Sequence, residues 1–316
     1  MIITVFVVSI ISFTIIQLPP GDYLTSYVTA LQRSGQQVSE DQVEALRVQY
    51  GLGKPVYVQY FKWMSGFLRG DMGFSFQWKR PVNELVWERL GLTLALSLSS
   101  LLFTWIVSFP IGVITALRQY SFGDYFFTFF SFIGLAIPNF MLALILMYIG
   151  FKYLGMNVGG LFSPEFSDAS WSMARFVDLL KHLWIPTIVV GTAGTAGLVR
   201  IMRANLLDEL GKPYVTTAKS KGISDARVVL KYPVRIALNP FISTIGWTLP
   251  RLISGATITS IVLNLPTAGP LLLNSLMTQD MFLAGSFVML LSILTIIGTF
   301  ISDLLLVMVD PRIKFY

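Results

Sequence analysis

The chain has no cysteine and only one histidine among its 316 residues. The absence of cysteine excludes a disulfide framework and a thiolate metal site. The single histidine, His182, argues against a buried zinc or haem centre, because such centres draw on several nitrogen or sulfur ligands. His182 stands beside Lys181 at the edge of an apolar run, where we interpret it as an interfacial side chain. We predict that this chain binds no metal and no cofactor.

The sequence also lacks the motifs of a nucleotide-hydrolysing or intramembrane enzyme. A P-loop requires Gly-x-x-x-x-Gly-Lys-Ser/Thr, because backbone amides and the lysine cradle the phosphates. The Gly-Lys pairs at 53–54 and 211–212 lack both the spaced glycine and the following hydroxyl. An intramembrane enzyme would need a Ser/His dyad or paired aspartates, whereas His182 and Asp303 stand alone in or beside apolar sequence. We therefore predict that the chain is not an enzyme.

Charged residues are scarce, at 13% of the chain against 54% hydrophobic residues. The mean hydropathy is +0.68, and a soluble domain normally carries about 25% charged residues. Several long runs contain no Asp, Glu, Lys or Arg, namely 1–21, 90–117, 125–151, 252–279 and 281–302. Because about 20 apolar helical residues cross a bilayer core of about 30 Å, the sequence predicts an all-α polytopic membrane protein.

Six membrane-spanning helices are predicted, in three parts of the chain. Residues 1–18 form the first, which we interpret as a retained helix because it has no basic region typical of a secretory signal. Residues 19–89 form a polar, mixed-charge segment, and residues 90–316 form a core with five spans. The core spans are predicted at about 91–116, 126–151, 183–205, 237–264 and 281–306.

Prolines and glycines give further detail within the predicted spans. Pro110 and Pro138 should kink the second and third spans, because proline frees a carbonyl within the helix. Residues 191–197 read Gly-Thr-Ala-Gly-Thr-Ala-Gly. Small residues at this spacing allow helix backbones to approach closely in lipid, so we predict a helix–helix contact there.

The orientation follows from a basic loop at about 206–236. Eight basic and three acidic side chains lie between residues 200 and 235, a net charge of +5 out of +6 for the whole chain. The positive-inside rule places this loop in the cytoplasm. With six spans both termini are then cytoplasmic and residues 19–89 are extracytoplasmic. The chain offers no basic soluble face of the kind that binds nucleic acid.

The basic loop has a pattern of its own, which a simple topological anchor would not need. Gly222 suits a helix C-terminus that requires a left-handed residue, and Ser224 suits the N-cap of a following helix. The loop is therefore predicted to form two short helices joined at Gly222. Ala218, four residues earlier, should leave a shallow face for a partner protein. The alternative is that the loop serves only to fix the topology.

Residues 214–235 resemble the signature of binding-protein-dependent ABC importer permeases, which is Glu-Ala-Ala, three residues, Gly, nine residues and Ile-x-Leu-Pro. Thr216, Thr217 and Ala218 occupy the first three positions, Gly222 the glycine, and residues 232–235 the last four. The form Thr-Ala-x-x-Lys-Gly is similar to the dipeptide/oligopeptide branch. Further segments similar to that branch follow the chain order: Pro20-Gly21-Asp22, Tyr50-Gly51-Leu52-Gly53, Val58-Gln59-Tyr60, the run 70–75 and Asp310-Pro311-Arg312-Ile313.

This resemblance implies a type I ABC importer permease fold in a bacterial or archaeal inner (plasma) membrane. It implies a homologous second permease, two ATP-binding subunits that carry ATP and Mg, and an extracytoplasmic solute-binding protein. The chain would form half of the translocation pore, for short peptides or alternatively for oligosaccharides. The residues that the resemblance assigns to ATPase coupling are Tyr214, Thr216, Thr217, Ala218, Lys219, Lys221, Gly222, Ile223 and Tyr232.

The translocation path is predicted to include Arg251 and Trp247. An arginine near the centre of a spanning helix faces water or a partner rather than lipid, since its insertion costs about 2.5–3.5 kcal/mol. Arg251 either lines the path or pairs with the sister subunit, and Trp247 either packs at an interface or gates. A secondary transporter is the rival class, but its usual inverted repeat and midplane carboxylates are not found in this sequence.

Overall fold

The computed structural model describes residues 2–17, 54–75, 77–155, 159–167, 169–246, 256–278 and 280–309. These residues are overwhelmingly helical, as the apolar runs predict. The helices are α1 (Ile2–Gln17), α2 (Val56–Leu68), α3 (Val82–Leu117), α4 (Phe122–Ala136), α5 (Asn139–Leu154), α6 (Met173–Leu210), α7 (Pro213–Ser220), α8 (Asp225–Lys231), α9 (Pro233–Ala237), α10 (Thr257–Val262), α11 (Ala268–Met277) and α12 (Met281–Val309). A short 3₁₀ helix covers Pro164–Phe166, and β1 (Phe74–Ser75) pairs antiparallel with β2 (Arg80–Pro81).

Three helices of the described residues are long and apolar enough to cross a membrane: Val82–Leu117, Met173–Leu210 and Phe282–Val309. The first two contain the predicted spans 91–116 and 183–205, and the third contains the predicted span 281–306 except for residue 281. Each helix is longer than the span predicted within it. Hydropathy marks only the part of a helix that lies in lipid, whereas capping decides where the helix ends. Thus α6 begins at Met173, directly after the N-cap Ser172, whose side chain accepts a hydrogen bond from the Arg175 amide.

The predicted third span is not one kinked helix. It consists of α4 and α5, which meet at an angle of 102° and together form either a broken span or a re-entrant loop. Ile137 and Pro138 both take extended backbone angles at the junction, because a proline disfavours the helical conformation of the residue before it. Pro110 and Pro186, in contrast, lie inside continuous helices.

Two predicted spans remain, the first and the fifth. The first is a helix shorter than the three long ones, and the fifth lies only partly within the described residues. The first corresponds to α1, an apolar helix of 16 residues. The predicted span 237–264 includes residues 247–255, which lie outside the described residues, and its described part contains helical residues 239–246 and α10. The all-helical, membrane-spanning class is nevertheless confirmed by the long apolar helices.

The described chain divides into two compact units, and the first comprises Met1–Leu92 with Thr267–Leu294. Its apolar core contains the buried side chains of Phe13, Trp63 and Met289. The Ser9 and Tyr60 hydroxyls lie 2.7 Å apart and join α1 to α2. The rings of Phe13 and Trp63 also pack against each other. Thus α2 is attached to the apolar helix α1 by both a hydrogen bond and aromatic packing.

The second unit comprises Thr93–Pro266 with Thr295–Tyr316 and is built around α6. A Cβ built on Gly191 would lie 2.5 Å from Phe103 Cδ1, and one on Gly112 would lie 2.6 Å from Met202 Cβ. Glycine therefore lets α3 and α6 approach more closely than any side chain would allow. The predicted helix contact at 191–197 is confirmed at Gly191. A Cβ built on Gly197 would meet no atom of the described residues within 4 Å outside the adjoining residues and backbone of its own helix.

Substitution of Gly112 by alanine should destabilise the protein, although alanine favours a helix by about 0.5–1 kcal/mol over glycine. The added methyl would meet Met202 near its backbone, and overpacking of this kind costs about 1–3 kcal/mol. We expect a lower midpoint of thermal unfolding in detergent for Gly112→Ala. Gly197→Ala is the matched control and should unfold at or above the wild-type temperature. Equal midpoints for the two variants would contradict the packing described here.

Candidate functional site

The basic loop folds as two short helices joined at a glycine, which confirms the prediction from its sequence. α7 ends at Ser220 and α8 begins at Asp225. Gly222 has a φ of 75° and its amide donates a hydrogen bond of 2.9 Å to the carbonyl of Lys219. Ser224 occupies the N-cap position of α8, but its side chain makes no capping hydrogen bond.

The loop has a small apolar core of its own. Val215, Ala218 and Val228 are buried, and Tyr214, Ile223 and Tyr232 pack around them. Ala218 is only 8% exposed and packs within the loop, and the predicted shallow face for a partner at this position stays a prediction. Val215 and Ala218 are three residues apart on α7 and therefore share its inward face. The small side chain of Ala218 serves close packing between α7 and α8.

The nine residues predicted for coupling are thus brought together in one loop, but they separate into two groups. An inner group packs within the loop and comprises Tyr214, Ala218, Ile223 and Tyr232. An outer group is exposed and comprises Thr216, Thr217, Lys219, Lys221 and Gly222. The outer group is the part of the predicted set that a partner protein could touch. Lys219 also forms a 2.9 Å ion pair with Asp225 across the junction of α7 and α8.

The loop is held in place by α6 and α12, two helices that are long and apolar enough to cross a membrane. The Tyr214 hydroxyl donates a 2.6 Å hydrogen bond to Glu209 in the last turn of α6. Met202 and Leu206 of α6 belong to the same buried cluster as residues of α8 and α9, including Val229 and Val234. The loop therefore rests on the end of α6 through one hydrogen bond and an apolar contact.

The second attachment is to the end of α12. Arg235 of α9 donates from Nε to the carbonyl of Val309, at 2.9 Å, and from Nη2 to that of Met308, at 3.4 Å. These carbonyls belong to the last turn of the helix, where they lack partners within the helix and attract a positive charge. A displacement of the loop would consequently act on two long helices.

Asp124 and Asp280 are among the buried carboxylates that the sequence analysis missed. Asp124 is 4% exposed and Asp280 is 1% exposed. The available signal was their position, because Asp124 directly precedes the charge-free run 125–151 and Asp280 separates the runs 252–279 and 281–302.

Asp280 fixes the hairpin of the first unit just before α12 begins. Its Oδ2 accepts a 2.5 Å hydrogen bond from the Ser75 hydroxyl, and the Ser286 hydroxyl donates to the carbonyl of Met72. Burial raises the pKa of the Asp280 carboxyl, while the Ser75 hydroxyl and the backbone amides of Leu283 and Gln77 oppose that rise. The contact therefore tolerates a protonated carboxyl better than a solvated site would.

The remaining predicted residues add nothing to this geometry. Trp247 and Arg251, predicted for the translocation path, lie outside the described residues, and their roles stay predictions. Asp303 lies within α12 and is half-buried.

Comparison with known proteins is decisive at the level of family. The family described as "Binding-protein-dependent transport system inner membrane component" matches residues 108–315, and its N-terminal region matches residues 1–97. The chain belongs to this family. The resemblance inferred from the basic loop is thereby confirmed. The inner membrane component has the type I ABC importer permease fold.

Several curated relatives align with this inner membrane component over nearly its whole length. The oligopeptide transport system permease protein AppB of Bacillus subtilis (strain 168) is 37% identical, over 98% of this chain and 94% of AppB. The oligopeptide transport system permease protein OppB of Haemophilus influenzae is 30% identical, over 99% and 95%. The dipeptide transport system permease protein DppB of Escherichia coli (strain K12) is 28% identical, over 97% and 94%.

The junction at Gly222 yields a prediction for the loop. Gly222→Ala places a side chain in the left-handed region, which costs about 1–2 kcal/mol, and no described atom lies near enough to add a steric effect. We expect hydrogen exchange of the α7 and α8 amides to accelerate by roughly tenfold, since about 1.4 kcal/mol is a factor of ten. Gly211→Ala is the control, because Gly211 has a φ of −78°. Unchanged exchange in Gly222→Ala would refute the prediction.

A second prediction concerns Asp280. A carboxyl whose folded-state pKa lies above its unfolded value of about 3.9 loses folding stability as the pH rises between those two values. Asp280→Asn removes this loss of stability, and the amide oxygen of the new side chain can still accept the hydrogen bond from the Ser75 hydroxyl. At pH 7 the variant should therefore unfold at a higher temperature than the wild type, and the difference should shrink as the pH is lowered toward 4. A variant that is less stable at pH 7, or a difference independent of pH, would contradict the assignment.

Proposed function

We propose that this chain forms one half of the pore of an ATP-driven peptide importer and that its basic loop is the surface held by the ATPase subunits. One observation carries the proposal. The loop is an independently packed pair of helices that exposes a polar, basic face and attaches by its other side to the ends of α6 and α12. A topological anchor would need the charge but neither the core nor the attachments.

Peptides are the favoured substrate. The relatives described above are named for oligopeptide and dipeptide transport, and their similarity extends over the whole chain. Oligosaccharides, the alternative within the same machinery, have no such support among these relatives. A secondary transporter does not fit a chain of this family, whose description makes transport dependent on a binding protein.

The proposed assembly contains this chain, a homologous second permease, two ATP-binding subunits and an extracytoplasmic solute-binding protein. The loop and both termini lie in the cytoplasm, and residues 19–89 lie outside, because the excess of basic residues is in the loop. ATP and Mg bind to the ATPase subunits, and this chain carries out no chemical step. Closure of the ATPases displaces the loop, and its attachments pass the displacement to the spanning helices.

The test uses the complete complex in proteoliposomes with its solute-binding protein. We expect ATP-dependent uptake of a labelled short peptide and none of a labelled oligosaccharide. Lys221→Glu reverses a charge in the outer group of the loop, and Thr217→Trp adds bulk there. Both variants should retain less ATPase subunit on purification through this chain, and uptake should fall in proportion.

Lys54→Glu is the matched control, because it reverses an exposed charge on the segment proposed to lie outside. It should purify with the wild-type amount of ATPase. Retention of the ATPases by the two loop variants would refute the coupling role of the loop. Uptake of the oligosaccharide in place of the peptide would refute the substrate and leave the coupling intact.

A further inference from the structure

Asp124 lies at the start of α4 and is held by α6 and by the turn that precedes α4, both in the second unit. Its carboxylate accepts two hydrogen bonds from Arg203 of α6, from Nε at 3.0 Å and from Nη2 at 2.8 Å. It also accepts one of 2.9 Å from the Tyr120 amide. Two parallel bonds from one guanidinium fix both distance and orientation. The pair therefore locks the start of α4 to α6.

The same carboxylate organises the turn between α3 and α4. Tyr120 has a φ of 62°, a left-handed value that a side chain adopts only with support. Ser121 caps α4 by accepting a hydrogen bond from the Asp124 amide, and Thr128 donates to the Asp124 carboxylate at 3.4 Å. The turn, the first turns of α4 and the fork of Arg203 thus form one hydrogen-bonded unit.

Arg203 stands about two helical turns before the end of α6, where the basic loop is attached. Met202, its neighbour, is fully buried in the cluster that includes Val229 and Val234 of the loop. The last turns of α6 therefore contact the loop through one set of side chains and α4 through another. Since α6 continues unbroken to Leu210, a movement of its end reaches Arg203 directly.

The far end of α4 is attached to α6 by a different kind of contact. A Cβ built on Gly134 would lie 3.2 Å from Thr192 Cγ2 and 3.8 Å from Ala196 Cβ. This is apolar packing of small residues, and it does not depend on the ion pair. Loss of the Arg203 fork should accordingly loosen one end of α4 without detaching the helix.

We propose that the Arg203–Asp124 pair is the positioning contact that carries displacement of the basic loop to α4. This inference rests on the proposed function, in which the ATPases move the loop. This role requires no contact of either residue with substrate or nucleotide. Their role is to keep the start of α4 in step with the end of α6, so that ATP hydrolysis is converted into a change of the pore.

Arg203→Lys is the informative substitution, because lysine keeps the charge but cannot form the fork. In proteoliposomes containing the complete complex we expect the amount of peptide taken up per ATP hydrolysed to fall on the order of tenfold, within the range typical of coupling between sites. ATP hydrolysis and the content of ATPase subunits should stay near wild type. Asp124→Asn should act in the same direction.

Arg200→Lys is the matched control. Arg200 lies on the same helix and is exposed, and its guanidinium carbon lies 5.9 Å from the centroid of the Phe132 ring of α4. The same substitution there should leave uptake per ATP unchanged. Wild-type coupling in Arg203→Lys, or an equal loss in Arg200→Lys, would overturn the inference.

The two proposals fail in different ways. If the loop variants Lys221→Glu and Thr217→Trp keep their ATPases, the coupling role proposed for the loop fails whatever Arg203→Lys does. If those variants lose their ATPases while Arg203→Lys couples normally, only the present inference fails. A parallel fall of uptake and hydrolysis in Arg203→Lys would show a purely structural role and would also overturn it.

A second measurement applies if the variants do not assemble. The chain has no cysteine, so spin labels can be placed at Phe122→Cys on α4 and Arg227→Cys on α8 in the otherwise unchanged complex. We expect a narrow distance distribution with the same maximum in nucleotide-free and ATP-bound complexes, because the pair joins α4 to α6 and the cluster around Met202 joins α6 to α8. A shifted or broadened distribution in either state would overturn the inference.

Discussion

Close packing of α6 against α3 is the contact on which the second unit depends. In lipid the hydrophobic effect does not drive helices together, so close approach and dispersion must do so. Gly112 receives Met202, and Gly191 receives Phe103, at distances that leave no room for a methyl group. Once α6 is fixed in this way, its last turns hold α4 through an ion pair and the basic loop through apolar side chains. In the proposed orientation this end of α6 is the cytoplasmic one.

The basic loop shows how one short signature serves two purposes. Its inner residues make a core from which α7 and α8 gain a defined shape, and its outer residues give a polar surface. A surface of this kind keeps its shape when a partner moves it, because the packing beneath resists deformation. The bonds from Tyr214 to Glu209 and from Arg235 to the end of α12 then prevent the loop from moving alone.

Much of this could be read from the sequence, and the rest could not for identifiable reasons. Charge-free runs predicted the long helices, and Gly222 predicted the junction, because both are local properties. Pro110 and Pro138 look alike in the sequence, but Pro110 lies inside a continuous helix and Pro138 at a break between two helices. The effect of a proline depends on whether neighbouring helices can restore the bonds it removes, which is not a local property. Asp124 pairs with a residue 79 positions away and Asp280 with one 205 positions away, and no local pattern specifies such partners.

The break at Ile137 and Pro138 separates α4 from α5 in one more respect. In a continuous helix each inserted or deleted residue rotates all the following side chains by about 100° about the axis. Because the helix stops at Ala136 and restarts at Asn139, α5 does not inherit the rotation that a change of length in α4 would impose along a continuous helix. The faces of α5 can therefore keep their neighbours when the length of α4 differs between homologous chains.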